Sequence, residues 1–176
     1  MDSYDKALDS GRFPEPFLFE QVAADVTEVS MREGFRFAPG GLITQEGGFA
    51  SRFYNGTGVV IPHGTAVALS AATANGVVPQ ASEYDCIGIV YGAIAANAWG
   101  WVVTAGIAEA LLKDGTSATL GYWAKASATD GRVEVTTAPS GLGALSTAEH
   151  FKEVGHCMET KSSGTNVLVK IVVHPL

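Results

Sequence analysis

Asn55-Gly56-Thr57-Gly58-Val59-Val60-Ile61-Pro62-His63-Gly64-Thr65-Ala66-Val67 sets the fold class. It holds short β-branched runs, too brief for helices, broken by residues that favour turns. The same alternation continues to the C-terminus. Runs suited to strands fall at Val59–Ile61, Ala66–Ser70, Val77–Gln80, Ile87–Tyr91, Gly100–Ala105, Glu109–Leu112, Tyr122–Lys125, Arg132–Thr136, Glu153–Glu159 and Val167–His174. Asn75-Gly76, Asp114-Gly115, Asp130-Gly131 and Ser163-Gly164 stand between them. Asn-Gly and Asp-Gly pairs accept the positive φ that tight hairpins need. No strand-like run alternates with a long amphipathic helix, which excludes parallel α/β folds. Residues 141–151 offer at most one turn of helix or a loop. The expectation is an all-β domain over residues 54–176, mainly antiparallel, built as a sandwich or barrel.

Upstream of this domain the pattern changes. Residues 1–50 carry Phe13-Pro14-Glu15-Pro16-Phe17, several acids and the glycine-rich Pro39-Gly40-Gly41 and Gly47-Gly48, without regular alternation. Leu18, Val22, Val26 and Val29 have helical spacing, while the β-branched Val26, Thr27 and Val29 also suit an extended segment. These residues read as an N-terminal extended arm that becomes ordered on a neighbour, since proline lowers the entropy lost on docking and the rings supply contact area. Its expected contact residues are Phe13, Pro14, Pro16, Phe17, Phe19, Arg32 and Arg36.

Composition narrows the function. The 176 residues fit one domain with an arm, enough to bury a core without disulfides or metals. A net charge of −7 leaves no basic face for phosphates, so nucleic acid is not an expected partner. Hydrophobic residues make up 47% against 16% charged, more apolar than a soluble monomer needs, so part of the surface is expected to be an interface. No apolar run approaches the ~20 residues that span a bilayer, and the N-terminus lacks a leader pattern, so synthesis in the cytoplasm is expected and a membrane is not. Cys86 and Cys157 have no paired spacing and read as buried, reduced thiols.

Signatures of catalysis are sparse. The chain has no Gly-x-Ser-x-Gly elbow, phosphate loop or His-Glu-x-x-His helix. His150, His156 and Cys157 invite a metal reading. However, adjacent residues point to opposite sides of a strand, so His156 and Cys157 read as an outward imidazole and a core thiol, and no metal or other cofactor is expected. A nucleophilic Cys86 is disfavoured by Asp85, whose charge raises a thiol pKa. Glu83, Asp85 and Glu109 are the only carboxylates between residues 53 and 112; the first two suit a solvated loop better than a glycosidase pair. Trp99 and Trp101 flank Gly100, and strand alternation puts both indoles on one face. That face, like Trp123, suits a subunit contact, or alternatively a sugar ring.

The glycines and strands also follow a recognisable order. Residues 55–67, Ile87-Gly88-Ile89-Val90 and Gly100-Trp101-Val102-Val103-Thr104-Ala105-Gly106 resemble a β-module of phage structural proteins. Gly121-Tyr122-Trp123-Ala124 with Asp130-Gly131-Arg132-Val133, and Val154-Gly155-His156-Cys157 with Val167–Ile171, match its later hairpins; the resemblance covers about two thirds of the chain. It implies a non-enzymatic virion protein of the capsid decoration (cement) or head- and tail-fibre type, commonly trimeric. An arm ahead of a free-standing β-domain suits decoration: a homotrimer bound to the major capsid protein on the outer face of the head. The alternatives are a fibre module that meets host glycans through Trp99 and Trp101, and a carbohydrate-active β-enzyme.

Overall fold

The computed structural model describes residues 35–37, 41–81, 86–137 and 152–174, the first three as backbone only. The described residues hold eleven strands and no helix: β1 (Phe35–Phe37), β2 (Gly41–Ile43), β3 (Gly48–Asn55), β4 (Ala66–Leu69), β5 (Gly76–Pro79), β6 (Gly88–Tyr91), β7 (Ala98–Leu111), β8 (Trp123–Ala126), β9 (Val133–Thr136), β10 (Glu153–Cys157) and β11 (Leu168–Val173). The fold is all-β and antiparallel throughout its named strand pairs except β3 with β5. Seven of the expected runs appear with ends shifted by at most two residues.

The strand order is β1-β2-β3-β5-β4-β6-β7-β11-β10-β8-β9, and β3 also pairs with β7. That extra pairing closes β3, β5, β4, β6 and β7 into a five-stranded barrel, which removes its open edges. Each barrel strand sends one side chain inward: Phe53, Val77, Val67, Val90 and Val102, with Ile61 and Ile94 completing the plug. Six of these seven are at most 1% exposed, each worth roughly 1.5–3 kcal/mol of burial. Gly100 makes room for the plug, since a Cβ there would overlap the Ile94 side chain.

The outward residues of the barrel, among them Ala50, Ala66, Ile89 and Val103, join a second core with Ala108, Ala110, Ala124, Val133, Val169 and Ile171. Those partners come from the C-terminal half of β7 and from β8, β9 and β11. This second sheet curls until Leu112, just past β7, bridges Val133 of β9. Alanines at the contacts let the layers approach closely.

Three differences from the sequence reading have physical causes. Gly100–Ala105 and Glu109–Leu112 belong to one 14-residue strand. A bulge opposite Phe49 and Ala50 adds a residue to β7, so the buried positions change from odd Val103 to even Ala108, which mimics a strand break. Gly106 sits in this irregularity at φ +82°, and a Cβ there would lie 2.7 Å from the Gly47 carbonyl oxygen. Val59–Ile61 is not a strand; only Ile61 makes a ladder bridge, to Ile94. Finally, β1, β2 and the first three residues of β3 lie inside the stretch assigned to the arm. Gly48 and Ala50 occupy buried positions of β3 that a hydrophobic pattern would fill with larger residues, so composition hides a central strand.

Candidate functional site

At one end of the barrel β3 stops at Asn55, a fully buried polar residue. Its amide nitrogen donates to the carbonyls of Val59 (2.6 Å), Ile94 (3.1 Å) and Ala95 (3.1 Å), while Oδ1 accepts from Thr57 N–H (3.0 Å) and the Thr57 hydroxyl (2.7 Å). One side chain therefore holds the loop after β3 against the loop before β7. The loop it fixes presents Val59 and Val60, 63% and 56% exposed, where the sequence pattern had placed a strand.

The aromatic face begins beside this loop. Trp99 pairs with Tyr54 across the β3–β7 ladder, and their rings meet edge to face at 5.7 Å. Trp99 is 50% exposed. Trp101 pairs with Arg52, whose guanidinium lies 5.7 Å from the ring centre, and its other surface packs on the second core. Both indoles lie opposite Gly100, which faces the barrel interior, so the shared face expected from alternation is present. They are not equally available: Trp101 is flanked by Arg52 and core, while Trp99 stands open. Trp123 lies on β8, beyond β11 and β10 from β7, where it meets His156 edge to face at 5.9 Å; the fold does not gather the three indoles. Tyr54 and Arg52 are members of the Trp99 face that the linear pattern missed, because only cross-strand register joins them to it.

The remaining candidates fall as follows. Phe13, Pro14, Pro16, Phe17, Phe19 and Arg32 lie outside the described residues, as do Glu83, Asp85 and His150. Arg36 is on β1, opposite Leu42. Glu109 contacts His63: Gly92 N–H donates to His63 Nδ1 (3.1 Å), leaving the proton on Nε2 to face Glu109 Oε2 at 3.2 Å. This arrangement closes the Pro62-His63-Gly64 turn onto β7. Cys86 and Cys157 are free and buried. Burial pushes the Cys86 thiol up to about 11 against the opposing hydrogen bonds of Gly88 and Val67, and burial, then the charge of Glu159, raises Cys157. Neither is an activated nucleophile.

These features define an all-β barrel protein with an exposed aromatic and aliphatic end. Comparison with solved structures finds a likeness to the head fibre gp8.5 N base of bacteriophage phi29, with a TM-score of 0.49 and 14% identity over 71% of this chain and 94% of that one. No family model matches the chain, and no curated protein does.

Proposed function

We propose that this chain is a non-enzymatic structural protein of a tailed-phage particle, a decoration protein that associates as a homotrimer and binds the major capsid protein on the outer surface of the head. The observation that carries this reading is the apolar end of the barrel. Val59, Val60 and Trp99 are large and exposed; the Asn55 network fixes the Val59–Val60 loop, and Trp99 stands beside it against the edge of Tyr54. A rigid apolar surface of this kind suits a contact between copies of the chain. The order of glycines and strands in residues 54–176, which resembles that of phage β-modules, supplies the virion context. Residues 1–34, with their phenylalanines and prolines, are the proposed latch onto the shell, and threefold avidity would strengthen a weak individual contact. Neither nucleic acid nor a membrane is a proposed partner.

A second reading is favoured by Trp99 itself, whose open indole suits stacking on a host-surface sugar, as in a head- or tail-fibre module. Light scattering of the purified protein, followed by co-sedimentation with empty shells, separates the two. A trimer that pellets with shells supports decoration. A trimer that stays in solution moves the fibre reading ahead, and a monomer overturns the homotrimer.

A further inference from the structure

On the outer side of the second sheet, a glutamate and a histidine of β10 converge with a histidine that follows β11. Cys157 points into the core, so its neighbour His156 faces outward from β10. His174 follows β11, and its backbone N–H donates to Val154 O at 3.0 Å, which continues the β10–β11 ladder and sets its ring beside that of His156. The ring centres are 4.8 Å apart. Glu153 sits three residues before His156, a spacing that would place it on the opposite face of a regular strand. A register shift between Glu153 and Gly155 turns it to the same face, the re-aiming that bulges commonly perform. Gly155 is needed there, because a Cβ would overlap the Val172 backbone.

We propose that Glu153, His156 and His174 bind one divalent transition-metal ion, with zinc the best chemical match. One nitrogen of each ring and a carboxylate oxygen all lie within 4.8 Å of one another. His156 Nδ1 is 3.2 Å from His174 Nε2 and 3.6 Å from Glu153 Oε1. Ligands at zinc bond lengths of about 2.0–2.1 Å around a tetrahedral ion are roughly 3.3 Å apart, so both separations suit a shared ion. Two imidazoles and one carboxylate form a donor set that leaves a fourth position for water. The glutamate side chain is only 10% exposed, which concentrates its charge beside the rings. Lys125, its ladder partner on β8, has its ammonium 2.8 Å from Glu134.

Without an ion the geometry demands a bridging proton. His174 Nδ1 lies 3.0 Å from Glu153 Oε1 and donates to it, so with both rings neutral His174 Nε2 accepts a proton from His156 Nδ1. A metal ion replaces that bridging proton, which moves to Nε2 of His156. Linear spacing set a metal aside because it grouped His156 with Cys157; the actual partner is His174, brought in by the β10–β11 pairing.

The test uses full-length protein without a histidine tag, dialysed against chelator, then titrated with Zn²⁺ by calorimetry and with Co²⁺ by visible absorption. The expected result is one ion per chain, with a cobalt spectrum of low-coordinate nitrogen and oxygen ligation. H156Q, H174Q and E153Q should each weaken zinc binding at least tenfold while far-ultraviolet circular dichroism stays unchanged. Should H156Q fail to fold, H174Q, beyond the end of β11, carries the test. Absence of saturable binding near one ion per chain, or undiminished affinity in folded H174Q, overturns the proposal.

Discussion

Replacing Asn55 with alanine tests the barrel end on which the proposed subunit contact depends. The substitution removes both amide donors and the Oδ1 acceptor. Ala95 O loses its Asn55 donor, whereas Ile94 O keeps the Ile61 N–H at 2.9 Å and Val59 O keeps the Thr57 hydroxyl at 3.1 Å. The network thus amounts to about two donated and two accepted bonds, each worth roughly 1 kcal/mol net. An expected loss of about 2–4 kcal/mol follows, a large share of the ~5–15 kcal/mol that holds a domain together. Urea denaturation followed by tryptophan fluorescence measures it, with an unchanged m-value indicating that the same surface is exposed on unfolding. N55D should cost at least as much, since a carboxylate would face the carbonyl oxygens that the amide now serves. Freed from Asn55, the Val59–Val60 loop should also lose its set position, lowering the oligomeric mass in light scattering. A loss under about 1 kcal/mol for both variants would refute the reasoning that this side chain, rather than the backbone around it, sets the loop.

Other expectations follow from the same structure. Partial burial acts to raise the Glu134 carboxyl, but the hydrogen bonds and charges of Lys125 and Lys113 outweigh it and hold the group below its ordinary 4.5. A depressed folded-state pKa stabilises above the unfolded value and ceases to do so as pH falls through the folded one. E134Q should therefore cost no more than about 1 kcal/mol at pH 7, with the gap to the parent closing below pH 4.5, as read by denaturation at several pH values. Cys86, with its thiol pushed up to about 11, and Cys157 should react slowly with a thiol reagent at pH 8 and fully in urea; rapid native labelling would contradict their burial. Deleting residues 1–34 should leave the thermal transition close to the parent's and abolish co-sedimentation with shells. Deleting residues 1–50 should destabilise by several kcal/mol, because it removes Leu42 and Ala50 from the second core; loss of a buried leucine alone costs about 2–5 kcal/mol. Equal stability of the two truncations would show that β1, β2 and the start of β3 are dispensable.

The parts of the fold legible in the sequence are those that one short segment decides. Asn75 adopts φ +55° before Gly76, and Gly64, Gly115 and Gly131 adopt φ of +79°, +78° and +67°, all at turns read from residue type. The placement of Trp99 and Trp101 on one face follows from alternation over three residues and needed no partner strand. Their surroundings were another matter: Arg52 and Tyr54 meet the indoles through a ladder that spans more than forty residues of chain.

By itself, then, the sequence determined an all-β chain, the positions of most of its strands and turns, and the burial of Cys157 opposite an outward His156. Only the tertiary structure decided that β3 belongs to the barrel, that its pairing with β7 closes the ring, and that Glu153, His156 and His174 share one face. The physical reason is range. Turn and strand preferences act through φ and ψ of neighbouring residues, whereas barrel closure and a three-residue cluster depend on register between distant strands, and a bulge that shifts register by one residue leaves little trace in local composition.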